Sequence, residues 1–131
     1  MNRALNYTIL VADENYLVNY EIKRLFQKNG FITIEKTKQD DILNLIKTKS
    51  PDFTITCLAL LIKTKFPADC IKSIFQNNDL KGSSDTILLD NKNKLLARYT
   101  KPFNPNDILN FILKHLNNTP QSKIKQHENN I

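Results

Sequence analysis

The chain has 131 residues, and 40% of them are apolar, which suffices for one domain with one ordinary core. Two glycines, five prolines and no tryptophan exclude a collagen-like or low-complexity protein, and no apolar run approaches the roughly 18 residues of a membrane span. The formal net charge is +6, yet only three of the 19 basic residues are arginine, the side chain most used to bind phosphate and bases. Nucleic acid is therefore a less favoured partner, and a small basic nucleic-acid-binding protein is only the third hypothesis.

Cysteine usage and the first residues of the chain predict the compartment. Cys57 and Cys70 do not have the spacing of a metal-binding pair, and two cysteines are too few for a disulfide framework. The chain does not open with the basic segment, apolar core and small-residue cleavage site of a secreted protein. We therefore expect a cytoplasmic protein with free thiols and no contact with a membrane.

The first half of the chain alternates β-rich runs with amphipathic segments. In chain order it predicts a strand over 7–12, a helix from Asn15 to about Asn29, a strand over 31–36, a helix that Asp40 or Asp41 caps, and a strand over 53–58. The first strand is apolar throughout, which is typical of a strand buried on both faces. Gly30 ends the first helix, and the Ser50-Pro51 pair ends the second.

The second half of the chain is less regular. It predicts a loop over 59–65, a helix that starts near Pro67 and includes Cys70, a loop at 82–84, strands over 86–89 and 95–100, and a last helix with Asn104 as N-cap and Pro105 as first residue. From 119 to 131 the composition becomes polar, which predicts a flexible tail. A single domain is therefore expected over 1–118, with no room for an output domain beside it.

Strands that alternate with helices predict an α/β fold, in which helices cover both faces of a parallel sheet. The link between the fourth and fifth strands breaks this pattern, because residues 90–94 are too few for a crossover helix. Either the fifth strand runs antiparallel to the fourth after a tight turn, which Asn and Asp favour, or the link returns as an extended segment. Both solutions fit the sequence.

Polar residues follow several predicted strands, at the edge where an open α/β sheet collects its functional groups. They are Asp13 and Glu14 after the first strand, Cys57 in the third, Asp90 after the fourth and Lys101 after the fifth. An adjacent pair of carboxylates can bind Mg²⁺, which prefers oxygen ligands. A thiol near a lysine can be redox-sensitive because its pKa falls, although a buried cysteine that packs as a small hydrophobe is the commoner case.

Three stretches of the sequence resemble a bacterial response-regulator receiver domain. They are Ile9 to Glu14, Pro51 to Leu58 and Thr100 to Pro105, and the resemblance covers roughly residues 6–117. It implies a flavodoxin-like, doubly wound sheet of five strands in the order 2-1-3-4-5. It also implies a phosphoryl-accepting Asp in the third strand, with Mg²⁺ held by that Asp and by the acidic pair Asp13 and Glu14. A Ser or Thr after the fourth strand and Lys101, joined to Pro102 by a cis peptide, would then contact the phosphate.

Four departures from the family pattern predict a degenerate receiver. Cys57 occupies the acceptor position, Asp90 the hydroxyl position and Arg98 the position of the switch aromatic, and the fourth helix is missing or replaced by a short link. A thiol forms no acyl phosphate and is a poor ligand for Mg²⁺, so the metal site of the acidic pair is expected to be weak or lost. Asp90 is then either the partner of Lys101 in a pocket with one fixed state or simply a turn residue.

The sequence therefore predicts a binding module rather than an enzyme, with no required cofactor. Its resemblance implies a phosphorylation-independent pseudo-receiver of two-component signal transduction that binds another protein, either a signalling protein or a second copy of the chain. The expected contact surface consists of Leu95, Leu96, Arg98, Tyr99 and parts of the helix over 106–116. A missing fourth helix would uncover this apolar surface, which a partner would then bury. The alternative is a divergent active response regulator that a histidine kinase phosphorylates at a non-standard residue, Asp13 or Asp90.

Overall fold

Five strands and four helices make up the regular structure of the described residues, which in this computed structural model are 6–37, 40–64, 66 and 84–118. The strands are β1 (Thr8–Ala12), β2 (Ile32–Glu35), β3 (Phe53–Cys57), β4 (Thr86–Leu89) and β5 (Leu95–Tyr99). The helices are α1 (Tyr16–Lys28), α2 (Ile42–Lys49), α3 (Leu58–Lys63) and α4 (Pro105–Asn117). All five strands lie where the sequence predicts them, with ends that differ by at most one residue.

Polar side chains explain where three of the helices begin. Asn15, Asp41 and Asn104 each accept a hydrogen bond from a backbone N–H of the following helix, at 3.0, 3.3 and 2.9 Å respectively. Such a cap satisfies N–H groups that the first turn leaves unbonded and contributes about 1 kcal/mol. Pro105 takes the first position of α4, and Ser50 ends α2 in the left-handed conformation at φ 47°. These predicted helix boundaries are confirmed.

The five strands form one mixed sheet in the order β2-β1-β3-β4-β5. β1 is parallel to β2 and to β3, whereas β4 is antiparallel to both of its neighbours, β3 and β5. The predicted strand order is therefore confirmed, and the prediction of an all-parallel sheet is wrong. Because β4 is the reversed strand of this sheet, β5 points in the same direction as β1, β2 and β3.

A tight turn at Asp90 explains the reversal. The Asp90 N–H donates to the Lys94 carbonyl at 2.9 Å, and Oδ1 of Asp90 accepts from the N–H groups of Lys92 and Lys94 at 2.8 and 2.9 Å. Asn93 has a φ of 64°, a left-handed conformation that Asn adopts more readily than most residues. The tight turn is thus the solution found, and it makes β4 and β5 antiparallel neighbours.

The core lies on both faces of the sheet, and β1 contributes to the two faces in alternation. Ile9 and Val11 pack with α1 and α4 on the first face, whereas Leu10 and Ala12 pack with α2 and α3 on the second. This explains the unbroken apolar run of β1, because a central strand buries both of its faces. Full burial of each large aliphatic side chain contributes about 1.5–3 kcal/mol, so these contacts stabilise both faces of the sheet.

The residues that follow β3 differ from the prediction. Leu58–Lys63 form the short helix α3, where the sequence predicts a loop from residue 59. Leu58 and Leu61 are three residues apart and are both fully buried on the second face of the sheet. A helix of six residues is marginal without such tertiary contacts. Packing against the sheet therefore decides the conformation of this segment.

Several predictions concern residues that lie outside the described ranges. They are the helix from Pro67 with Cys70, most of the loop at 82–84, and the tail over 119–131. Within the described ranges, none of the helices combines the length and the apolar character that a membrane crossing requires.

Candidate functional site

The candidate site lies at the edge of the sheet where β1, β2, β3 and β5 end and β4 begins, which we call the carboxyl edge. Cys57 at the end of β3 is opposite Thr86 at the start of β4, and Thr86 is opposite Tyr99 at the end of β5. The reversed strand therefore presents its first residues to the carboxyl edge, where a parallel strand would present its last. This places a threonine hydroxyl among the residues that follow β1 and β5.

Asp13 is the centre of the carboxyl edge, and its carboxylate is buried. Oδ1 of Asp13 accepts from the Lys101 ammonium and from the Asn15 N–H, each at 2.8 Å, and Oδ2 accepts from the Thr86 hydroxyl at 2.8 Å. Lys101 also donates to the Ser84 carbonyl. The side chains of Asp13 and Lys101 are 0% and 20% exposed. The carboxylate is thus bonded to one cation and two further hydrogen-bond donors, and because it is buried, water screens these charge interactions only weakly.

Asn19 holds the backbone of Asp13 from the first turn of α1. Its side-chain oxygen accepts from the Asp13 N–H at 2.7 Å, and its amide group donates to the Asp13 carbonyl. From the neighbouring strand, the Thr56 hydroxyl donates to the Ala12 carbonyl at 2.8 Å. The backbone that carries the buried carboxylate is therefore fixed from two elements, which limits how far Asp13 can move.

Glu14 and Asp13 pair with different lysines. The Glu14 carboxylate forms an ion pair with Lys63 of α3, and this hydrogen bond raises the pKa of Lys63. The Lys63 and Glu14 side chains are 67% and 40% exposed, so this pair is screened by water. Both carboxylates for which the resemblance implies a weak or lost Mg²⁺ site thus have a lysine ammonium as their ion-pair partner. Among the described residues, no cluster of three or more His, Cys, Asp or Glu side chains could hold a metal ion.

Cys57 is fully buried at the end of β3. Burial raises the pKa of its thiol, hydrogen bonds from the backbone N–H groups of Glu14 and Leu60 oppose this effect, and the negative charge of Asp13 adds to it. The redox hypothesis needs a lysine that lowers the thiol pKa, but Lys63 and Lys101, the described lysines at this edge, are paired with Glu14 and Asp13. The environment of Cys57 therefore favours the protonated, unreactive thiol.

Asp90 lies away from the carboxyl edge. Because β4 is reversed, Asp90 at its end is in the β4–β5 turn, where its side chain accepts from backbone N–H groups of that turn. Lys101 pairs instead with Asp13. The structure thus brings Asp13, Glu14, Cys57 and Lys101 to one edge, and it gives Asp90 the role of a turn residue.

The predicted contact surface on β5 is only partly available to a partner. Leu95, Leu96 and Tyr99 are half-buried and pack against the core, whereas Arg98 is exposed and its Nε donates to Asp85 at 2.9 Å. β5 has β4 on one side, and among the described residues no strand pairs with its other side. The outer backbone edge of β5 is therefore the part that could accept another strand.

Sequence reasoning missed three side chains of the carboxyl edge: Thr86, Asn19 and Asp85. Thr86 opens a short apolar run, and the sequence does not reveal which end of that run reaches the carboxyl edge. One feature of the sequence could have indicated Asn19. It lies four residues after the N-cap Asn15, which puts the two asparagines on the same side of the helix at the beginning of α1. Asp85 directly precedes the reversed strand, so its role also depended on the direction of β4.

Comparisons with known proteins bear on the identity of the chain. It matches no protein family, no curated protein and no solved structure. The geometry of the carboxyl edge and of the exposed surfaces therefore carries the functional argument.

Proposed function

We propose that the chain is a phosphorylation-independent pseudo-receiver with a flavodoxin-like fold, which acts as a protein–protein interaction module in signalling. The observation that carries this proposal is the saturated carboxylate of Asp13, bonded to Lys101, Thr86 and Asn15. In the neighbouring strand, Cys57 stands where the resemblance calls for an acceptor carboxylate. A site closed by internal bonds suits a binding module better than a phosphoryl acceptor.

The chemistry of phosphoryl transfer supports this choice. A phosphoryl acceptor needs an accessible nucleophile and cations that neutralise the charge developing on the transferred group. Asp13 is buried with both oxygens hydrogen-bonded, and Cys57 is a buried thiol with a raised pKa. The ammonium of Lys101 already compensates the negative charge of Asp13, so an incoming phosphoryl group could bind Lys101 only by breaking that ion pair.

Intact-mass measurement tests whether the chain accepts a phosphoryl group. The protein is incubated with Mg²⁺ and acetyl phosphate, beside an ordinary receiver domain as a positive control. We expect no phosphoryl mass gain on this chain while the control is modified. A stoichiometric gain would overturn the proposal, and its location on Asp13 or Asp90 would establish the divergent active regulator instead.

The outer edge of β5 is the contact surface that we propose for a partner protein. Hydrogen exchange measured over a range of protein concentrations tests whether that partner is a second copy. Concentration-dependent protection of Leu95–Tyr99, reduced in Arg98→Gln, would support pairing at this edge. Protection confined to another element would refute it. A steep fall of binding to labelled duplex DNA between low and moderate salt would favour the nucleic-acid hypothesis.

A further inference from the structure

Exposed lysines collect at the edge of the sheet where β1, β2, β3 and β5 begin and β4 ends, which we call the amino edge. Seven lysines of the described residues are exposed, and six of these seven belong to segments that lie at the amino edge. The six are Lys28 at the end of α1, Lys47 and Lys49 at the end of α2, Lys92 and Lys94 in the β4–β5 turn, and Lys114 at the end of α4.

The topology of the fold brings these four segments together. α1 and α2 end at the amino edge because each is followed, after three residues, by a strand that begins there. α4 ends there as well, since the ring of His115 in its last turn lies 6.0 Å from the ring of Phe53 at the start of β3. The β4–β5 turn lies at the same edge because β4 is reversed, and its last residue, Leu89, pairs with Thr54 near the start of β3.

The positive charge of the amino edge is not compensated by neighbouring carboxylates. The four ion pairs of the described residues all lie elsewhere. The carboxylates described at this edge, Asp52 and Asp90, accept hydrogen bonds from backbone N–H groups. Lysines are favoured in the last turn of a helix by the helix dipole. This effect does not explain Lys92 and Lys94, which lie in a turn between two strands.

We propose that the amino edge binds the anionic surface of a lipid bilayer through these six lysines. The inference goes beyond the proposed function and does not depend on it, because it concerns where the protein is held. Clusters of four to eight basic residues are typical of segments that bind anionic lipids, and each lysine near such a surface strengthens binding about fivefold. The proposal revises the expectation of no membrane contact, which considered only spanning and secreted proteins.

The residue types at the amino edge favour a bilayer over nucleic acid. All six cations are lysines, whereas arginine supplies most bidentate contacts to phosphates and bases. Helix N-termini also bind phosphate, but the helix ends at this edge are C-termini, whose dipoles repel a phosphate that approaches the backbone. Ile32 at the start of β2 is 53% exposed, and its apolar side chain suits the headgroup region of a bilayer.

The breadth of the amino edge favours a flat partner. Five strands spaced about 4.8 Å apart make the edge roughly 20 Å wide, and helices on both faces of the sheet widen it in the other direction. A bilayer can contact lysines from all four segments at once. An extended acidic peptide is narrower than this edge and would contact only some of them.

Co-sedimentation with sucrose-loaded vesicles tests the proposal. The vesicles consist of phosphatidylcholine with about one third phosphatidylglycerol, and pure phosphatidylcholine vesicles are the uncharged control. We expect the protein to sediment with the anionic vesicles at low salt, to be released as salt screens the charges, and to remain unbound with the uncharged vesicles. No binding to the anionic vesicles at low salt, or equal binding to both kinds of vesicle, would overturn the proposal.

Substitutions locate the binding surface. The double variant Lys92→Gln with Lys94→Gln should reduce the partition coefficient about 25-fold, and Lys114→Gln on α4 should reduce it about fivefold. The matched control, Lys36→Gln with Lys63→Gln, removes two charges at the carboxyl edge and should leave the partition coefficient nearly unchanged. Equal losses in the two double variants would show a response to net charge alone and would overturn the proposal. Circular dichroism and the urea midpoint verify that all variants fold.

Two other polyanions are compared with the vesicles at an equal concentration of negative charge. We expect the vesicles to bind most tightly. Tighter binding of a labelled DNA duplex, weakened in Lys92→Gln with Lys94→Gln, would assign the amino edge to nucleic acid and overturn the proposal. Tighter binding of a polyglutamate peptide with the same dependence on these lysines would assign the edge to an acidic protein and overturn it likewise.

Discussion

Replacement of Lys101 by Met examines the buried ion pair at the carboxyl edge. Lys101→Met keeps most of the aliphatic stem and removes the ammonium that lies 2.8 Å from Oδ1 of Asp13. Loss of one partner of a buried pair typically costs about 3–5 kcal/mol, because the remaining charge stays buried without compensation. Asp13 keeps its hydrogen bonds from Thr86 and Asn15, so we expect the lower end of this range, about 3 kcal/mol.

Urea unfolding followed by far-UV circular dichroism at pH 7 measures this cost. With an m-value of about 2 kcal/mol per molar urea, the midpoint should fall by about 1.5 M. The double variant Asp13→Asn with Lys101→Met removes both charges, and it should be more stable than the sum of the single changes predicts. This non-additivity distinguishes lost charge pairing from lost packing of the lysine stem.

The Lys63–Glu14 pair supplies the matched control at the same edge. Lys63→Met removes an ammonium from a carboxylate in the same way, but both side chains of this pair are largely exposed. Exposed pairs contribute little because water screens them, so the midpoint should hardly change. Equal losses from Lys63→Met and Lys101→Met would refute the reasoning, since burial would then not decide the value of the pair.

Three further predictions concern neighbouring groups. Asn19→Ala removes both side-chain hydrogen bonds to the Asp13 backbone and should lower the free energy of unfolding by about 1–2 kcal/mol. The control Asn110→Ala, on the exposed side of α4, should leave the free energy of unfolding unchanged. Equal effects of the two substitutions in urea titrations would contradict the role of Asn19. Asp90→Ala should lower the free energy of unfolding by about 1 kcal/mol, because it removes the side-chain hydrogen bonds that hold the β4–β5 turn. Altered amide exchange at the carboxyl edge would contradict the placement of Asp90 in this turn. In a Cys70→Ser background, Cys57 should react with iodoacetamide only after unfolding, because the folded protein buries the thiol completely and burial raises its pKa. Stability should fall as the pH rises above the ordinary thiol pKa, since the unfolded chain then loses this proton first; rapid alkylation of the folded protein would refute the inert thiol.

Local residue chemistry determined most of the secondary structure from the sequence. Asn15 and Asn104 begin helices because their side chains bond to N–H groups of the first turn, and Gly30 ends α1 at a φ of 90° that few other residues adopt easily. The apolar run of β1 correctly indicated burial on both faces. Such signals act within a few residues, so the sequence contains them in full.

The carboxyl edge was predicted in part, for a reason of topology. Asp13 and Lys101 follow strands that point the same way, but the sequence left the direction of β5 open, and the resemblance to a receiver domain is what placed Lys101 at this edge. Asp90 was expected there because β4 was taken as parallel. The direction of β4 decides whether Asp90 or Thr86 faces Asp13, and the short apolar run of β4 does not indicate that direction.

Tertiary structure alone decided the direction of β4, the helix α3 and the partners of the buried carboxylate. The short link between β4 and β5 is compatible with a hairpin, but it does not indicate which of the two strands is reversed relative to the rest of the sheet. The pairing of β4 between β3 and β5 decides that β4 is the reversed strand. α3 is too short to be stable by itself, and burial of Leu58 and Leu61 makes it helical. Asp13 bonds to Lys101 and Thr86, which are distant from it in the sequence. A buried charge must be compensated, and these are the donors that the fold brings within hydrogen-bond distance. These contacts join residues more than 70 positions apart, so no local pattern contains them.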